Sequence, residues 1–165
     1  MDMKKQVAVI FGGKSSEHEV SCHSVLNVIK GFSPEKYEIH LIGITKEGHW
    51  IYVPEAAAIE DGSWYDGRKT AIISPDAVNS GIYLCDDEGH YERRKIDVIF
   101  PVLHGKFGED GTIQGVFEMS GIPYVGCGVL SSSVSMDKIS TKIFVEKLGI
   151  RQAKFVADIA PDLSE

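Results

Sequence analysis

Cysteine is scarce in this chain and long apolar runs are absent, and each lack narrows what the chain can be. The three cysteines, Cys22, Cys85 and Cys127, are odd in number and far apart. They fit free thiols in a reducing cytosol rather than a disulfide framework. No CxxC or HxxxH pair offers a zinc site, and His18 and His23 stand five residues apart, a poor spacing for one helical face. The longest apolar stretches, such as residues 7–11, are far too short to span a bilayer. The opening MDMKKQVAVIFGG runs its apolar segment into a glycine turn, with no signal-peptide cleavage pattern. Positive charge is also in short supply. A formal net charge of −7 argues against a nucleic-acid or anionic-membrane surface. The one basic cluster, Arg93-Arg94-Lys95, reads as a solvated strand edge. The usual phosphate fingerprints are missing too. Gly13-Lys14-Ser15 resembles the tail of a Walker A loop, but the pattern needs glycine where Ala8 stands, and Lys14 breaks GxGxxG.

What is present is ordinary globular composition, 43% hydrophobic and 25% charged over 165 residues, enough for one domain or one domain plus part of another. Residues 6–11 (QVAVIF) predict a strand buried on both faces. Residues 17–30 carry apolar positions at Cys22, Val25, Leu26 and Ile29, a helical stripe closed by Gly31. Residues 37–45 predict a second strand, completing a βαβ unit. Residues 46–95 read as an insertion: a short strand at 49–53, an irregular stretch at 54–80, and a hairpin of 81–85 with 90–94. Residues 96–103 return to a buried strand, followed by a helix at 112–120 and a strand at 122–125. A single helix is expected over 131–148, with Met136, Ile139, Ile143, Phe144 and Leu148 facing inward, then a strand at 152–157. Alternating elements of this kind imply an open, mostly parallel α/β sheet with flanking helices, whose ligands sit beyond the carboxyl ends of its strands.

Two polar loops fall at those ends. In the first, residues 11–21, Gly12 and Gly13 allow close backbone approach, and Ser15 or Ser16 suits a helix cap. Glu19 fits the favourable first turn of a helix, whereas Glu17 lies nearer the strand end, where it can face a ligand amine. The second loop is more specific. HGKFGEDGTIQG, residues 104–115, places three glycines around His, Lys, Glu and Asp within eight positions. Asp110 suits a cap for the helix that follows, and amides at that helix start would attract a carboxylate or phosphate. His104, beside a glycine at the same sheet edge as Glu17, is best explained as a ligand contact that binds a carboxylate or relays a proton. Lys138 could reach a phosphate, but from the residues alone it reads as a solvent-facing helix lysine.

Taken together these segments resemble the D-alanine–D-alanine ligases, an ATP-grasp family. Residues 104–115 match the signature HGxxGEDGx–aliphatic–QG in full. The opening GGxSxExEVS is matched by Gly12, Gly13, Ser15, Glu17, Glu19, Val20 and Ser21. SGIPYVGCGVLSSSVSMDK, residues 120–138, is similar to the family's passage into its central domain. The resemblance implies a Rossmann-like pre-ATP-grasp domain over residues 1–126, followed at 127–165 by the linker, helix and first strand of an ATP-grasp domain. It implies ATP-driven ligation of two D-alanines for peptidoglycan in a bacterial cytoplasm. One D-alanine's carboxylate would be phosphorylated, and the second's amine would attack the acyl phosphate. Glu17 would hold the first D-alanine's ammonium, with Val20 near its methyl group, Ser21 supporting the loop, and His104 beside its carboxylate. Glu17 and His104 are thus the catalytic candidates. Lys138 would touch ATP phosphates. ATP and Mg²⁺ (or Mn²⁺) are the implied cofactors, with the metal ligands outside this chain, and a homodimer is the implied assembly.

Family members are substantially longer, with the remaining nucleotide, metal and intermediate-binding residues downstream. The chain therefore reads as an amino-terminal portion that does not turn over by itself. The alternative is a non-catalytic small-ligand-binding module using the same loops. A generic Rossmann-like dinucleotide binder is disfavoured by the missing GxGxxG.

Overall fold

The computed structural model describes residues 3–156. Strand β1, Lys5–Gly12, is the axis of the fold. Val7, Ala8, Val9, Ile10 and Phe11 are all at most 1% exposed, so neither face of the strand meets water. Alternate side chains serve two cores, because strand residues alternate in direction. Ala8 and Ile10 pack on one side with Ile113 and Phe117, whereas Val7, Val9 and Phe11 pack on the other with Val25. Full burial of each such Val, Ile or Phe contributes roughly 1.5–3 kcal/mol.

Helix α1, His18–Lys30, crosses from β1 to the parallel strand β2, Tyr37–Ile44. From there the chain turns back. β3 (Trp50–Val53), β4 (Thr70–Ile73), β5 (Ile82–Cys85) and β6 (Tyr91–Arg94) add an antiparallel extension, and β7, Val98–Leu103, returns to pair parallel with β1 on its other side. The sheet order is β6-β5-β4-β3-β2-β1-β7. Between strands, parallel pairing is thus confined to β2-β1-β7, and the four strands of residues 46–95 make the rest of the sheet antiparallel. Arg93 and Arg94 lie on edge strand β6, where charge discourages further pairing.

Several expected elements take a different form. Residues 54–80 are not irregular throughout: they hold the short helix α2 (Ala57–Glu60), a 3-10 turn (Ser63–Asp66) and β4. These elements span only four residues each, too short for a period to register. Residues 122–125 make one bridge, Ile99 to Tyr124, rather than a strand. Ile99 donates to the Pro123 carbonyl at 2.8 Å and accepts from Val125 at 2.9 Å. The next donor of that parity would be Pro101, which has no N–H, so the ladder stops there.

Helix α3, Thr112–Ser120, lies where expected. The helix expected at 131–148 is two helices, α4 (Val129–Met136) and α5 (Lys138–Lys147). Asp137 is extended between them (φ −82°, ψ 112°) and its side chain accepts the Ser140 amide at 2.6 Å. A capping residue that could start a helix has divided one. The expected inward face is also not buried: Met136, Ile143, Phe144 and Leu148 are 42–73% exposed. Residues 152–156 form no strand, and position 157 lies outside the described residues. No helix among the described residues is long and apolar enough to cross a membrane.

Gly43 shows how tightly β2 meets the 63–66 turn. A Cβ there would stand 2.6 Å from Trp64 Cε3 and 2.9 Å from Phe11 Cζ. In α3, a Cβ on Gly115 would meet nothing within 4 Å. Urea unfolding is expected to show Gly43→Ala destabilised by about 1–3 kcal/mol. Gly115→Ala should be stabilised by roughly 0.5–1 kcal/mol. Equal responses of the two variants would contradict this packing.

Candidate functional site

The two loops that leave the carboxyl ends of β1 and β7 are tied into one surface by serine hydroxyls. Ser21, in the second turn of α1, is fully buried. Its Oγ accepts the Gly12 amide at 2.7 Å and donates to the Val102 carbonyl. One hydroxyl therefore joins β1, β7 and α1. Ser15 repeats the device in the loops themselves. Its Oγ accepts the Glu17 amide at 3.2 Å and donates to the His104 carbonyl at 2.8 Å. Neither candidate serine caps α1: Glu17 is the N-cap residue, without a side-chain cap bond, and Ser15 Oγ takes the amide of that residue instead.

The latch brings Glu17 against Gly105. A Cβ built on Gly105 would lie 2.6 Å from Glu17 Oε2, and Gly105 has φ +71°. The left-handed backbone favours glycine at this position, and its missing side chain leaves the space that the Glu17 carboxylate fills.

The second loop is clasped by its own acids. Gly105 N–H donates to Glu109 Oε2 at 2.7 Å. Phe107 and Thr112 N–H donate to the two Asp110 oxygens at 2.8 and 3.0 Å. Gln114 Nε2 donates to the Gly108 carbonyl at 2.9 Å, and Ser133 of α4 donates to the Asp110 carbonyl at 2.8 Å. The N-cap of α3 is Gly111 rather than Asp110, whose carboxylate takes the Thr112 amide from one residue ahead of it. The expected anion site at the start of α3 is not free. The Thr112 amide is taken by Asp110, and the Ile113 amide donates to the Phe107 carbonyl at 3.3 Å. Phe107 itself has φ 66°, the only non-glycine residue with positive φ among the described residues. Such a conformation costs roughly 1–2 kcal/mol and persists only where neighbours hold it.

Glu17 is exposed, while His104 is half-buried. His104 Nε2 is shielded from solvent and has no hydrogen-bond partner among the described residues. A buried ring nitrogen left this way is costly unless something else supplies its partner. His104 lines a pocket of about 270 Å³ together with Gly13, Lys14, Leu103, Lys106 and Phe107, among others. Val20 is 53% exposed on α1. On the same helix, Glu19 makes an exposed ion pair with Lys46 at 2.6 Å, and the hydrogen bond and charge of Lys46 hold its carboxyl below the ordinary value. Lys138 sits exposed at the first residue of α5 rather than inside a helix, and it does not line the His104 pocket. Hydrogen bonds thus link the Glu17 loop, Ser21 of α1 and the His104 loop, whereas Lys138 is outside that group; Glu17, Val20 and Ser21, like Lys138, do not line the His104 pocket.

Sequence reasoning gave Ser15 only a capping role. Its place in GGxSxExEVS, between the glycines and Glu17, was the available signal for the latch to His104. No cluster of three or more His, Cys, Asp or Glu side chains among the described residues is placed to hold a metal ion.

Comparison with known proteins gives a consistent answer. The family model for the D-ala D-ala ligase N-terminus matches residues 6–127. The D-alanine–D-alanine ligase of Acetivibrio thermocellus is 46% identical over 169 residues, covering 94% of this chain and 45% of that protein. Among solved structures, the VanG D-Ala:D-Ser ligase of Enterococcus faecalis is similar with a TM-score of 0.84 and 40% identity, over 92% of this chain and 44% of that one. The D-alanine–D-alanine ligase of Bacillus anthracis, solved in complex with ATP, gives a TM-score of 0.57 and 29% identity, over 96% of this chain and 43% of that one. The chain spans a little under half the length of the curated relatives it matches.

Partial burial works to raise the Asp110 carboxyl, but the Phe107 and Thr112 amides more than offset it and leave the group below its ordinary value. A depressed carboxylate contributes stability that is present above its unfolded pKa, about 3.9. That contribution is lost as pH falls through the lower folded value. Asp110→Ala is therefore expected to be less stable than wild type at pH 7. The gap should narrow as the medium is acidified below pH 4, measured by urea unfolding at each pH. A gap that stays constant or widens would show that Asp110 does not act as a charged clasp.

Proposed function

The chain belongs to the D-ala D-ala ligase N-terminus family, and on that premise we propose that it forms the first-substrate wall of an ATP-driven D-alanine–D-alanine ligase. The carrying observation is the pairing across Gly105. A carboxylate from the β1 loop and an imidazole with an unsatisfied buried nitrogen from the β7 loop are latched together by Ser15. An amino acid presents an ammonium and a carboxylate a few ångströms apart. Glu17 supplies the anion for the ammonium, and His104 supplies a hydrogen bond to the carboxylate. Ser21 keeps both loops at that spacing from beneath. Val20, exposed on α1 beside Ser21, is assigned the contact with the methyl group.

In this reading the chain's own work is binding and orientation, which can replace much of the entropic cost of bringing reactants together. ATP is the energy source, which the relative solved in complex with ATP supports, and Lys138 is assigned as a phosphate contact. Since α5 sits apart from the His104 pocket, Lys138 meets the nucleotide only when the rest of an ATP-grasp domain is in place. Residues 127–165 are proposed as the beginning of that domain and residues 1–126 as the substrate domain. The apolar side chains left bare on α4 and α5 support the division. Mg²⁺ or Mn²⁺ would be held by residues beyond those described, among which no set of ligands stands together. The product would feed peptidoglycan synthesis in a bacterial cytoplasm, by a homodimeric enzyme. A relative named for D-Ala:D-Ser ligation shares this architecture, so the choice of second substrate is assigned to parts of the enzyme beyond these loops.

The test is product identity. The protein encoded by the complete reading frame, given D-alanine, ATP and Mg²⁺, is expected to yield D-alanyl-D-alanine by mass spectrometry, and the 165-residue chain alone no ADP. Glu17→Gln in the complete protein should raise KM for D-alanine at least 10-fold, in line with loss of a charge-assisted contact worth about 1.5–3 kcal/mol. Absence of dipeptide with retained D-alanine binding would favour the binding-module reading. ADP release by the 165-residue chain would refute its dependence on downstream residues.

A further inference from the structure

His18 directly follows Glu17, and neither composition nor motif singled it out for the site. It is 1% exposed, yet both its ring nitrogens are engaged. Nδ1 lies 2.8 Å from the Gly13 carbonyl and Nε2 lies 2.7 Å from the Tyr65 hydroxyl. A carbonyl only accepts, so Nδ1 carries a proton; in the Nδ1–H tautomer Nε2 accepts the Tyr65 O–H. Burial, the largest influence on the Tyr65 phenol, pushes it up to about 12, so the donor keeps its proton throughout the physiological range.

Tyr65 is itself held rigidly. Its ring stacks on Trp64 at 4.0 Å between centroids. Trp64 is buried, sits in the notch left by Gly43, and meets Phe11 edge-on at 5.0 Å. The 63–66 turn is therefore a peg fixed in the sheet, and its exposed end reaches the first loop through one hydrogen bond. At the other end of that bond, the Gly12-Gly13 turn has little freedom. The Gly13 amide donates to the Ile44 carbonyl at 2.8 Å, and a Cβ on Gly12 would stand 3.1 Å from His18 Cε1.

We propose that Tyr65 and His18 are positioning residues for Glu17: the Tyr65–His18–Gly13 chain sets where the Glu17 carboxylate stands over Gly105. This rests on the reading of Glu17 as the ammonium site. It also gives the 63–66 turn a part in substrate affinity although it touches no substrate. His18 is the first residue of α1 and Glu17 directly precedes it, so bonds that fix the imidazole between Gly13 and Tyr65 act on the residue next to the carboxylate. A purely structural brace would change stability alone; a positioning brace changes the affinity of the adjacent carboxylate for its ligand.

The experiment uses the protein of the complete reading frame with D-alanine and ATP. Two readouts are taken on wild type, Tyr65→Phe, His18→Asn and the double variant. The first is the 15N spectrum of the His18 ring, expected to show the Nδ1–H tautomer in wild type and a displaced Nε2 resonance in Tyr65→Phe. The second is the steady-state response to D-alanine. Each single variant is expected to raise the first-site KM about 3- to 10-fold, the range of one lost hydrogen bond, with kcat little changed. The double variant should be no worse than the worse single one, because both break the same bond. An Nε2 resonance that does not respond to Tyr65→Phe overturns the brace. So does a displaced resonance with an unchanged KM, and in that case the ligase reading stands. A wild-type protein that binds D-alanine at Glu17 but makes no dipeptide removes the ligase reading, and the brace is then judged by the same variants on the D-alanine Kd. A wild-type protein that binds no D-alanine overturns both.

Discussion

Everything proposed for this chain depends on two hydroxyls that join loops distant in sequence. Ser21 ties the end of β1 to the end of β7 from beneath, and Ser15 ties the loop after β1 to the loop after β7 from above. Parallel strands cannot be joined by tight turns, so their carboxyl ends are separated by long crossovers and have no covalent reason to stay in register. The sheet ladder sets the strands side by side. The serines then carry that register past the last ladder bond into the loops. Without them Glu17 and His104 would share a sheet edge but not a common position over Gly105.

The economy of the second loop follows from the same constraint. It has many backbone groups near the surface of a crevice, and a free amide there would compete for ligand. Glu109 and Asp110 occupy those amides, so the polar groups left to meet a ligand are few. The imidazole of His104 is the conspicuous one, since its Nε2 is buried without a partner. An acid-rich motif thus serves mainly to close a loop on itself, and the histidine at its start keeps a buried ring nitrogen without a partner among the described residues.

The frame of the fold was legible in the sequence where an element was long enough to show a period or a doubly buried run. β1, α1, β2, β7 and α3 lie within a residue or two of their expected positions. So do the two loops, because glycine clusters beside polar residues mark places where the chain bends near a ligand. Residues 54–80 were not legible, since four-residue elements carry no periodicity and Trp64 is placed by a notch at Gly43 far along the chain. The break at Asp137 was hidden because an aspartate inside a helical pattern and an aspartate at a cap look alike until the backbone chooses. The truncated ladder at 122–125 turned on Pro101, whose missing N–H matters only once its pairing parity is known. Of the candidate site residues, Glu17, Ser21 and His104 come together in the linked loops. Lys138 stands apart from them, exposed at the first residue of α5.

The central claim is that Glu17 and His104 grip opposite ends of one amino-acid molecule. It is tested most directly by titrating D-alanine into the protein of the complete reading frame, with 13C label on glutamate carboxyls and 15N label on histidine rings. The account predicts that the Glu17 carboxyl and His104 Nε2 resonances move together along a single binding curve. Ser15→Ala should weaken that curve for both. Movement of one resonance without the other, or dipeptide formation with neither moving, would contradict it.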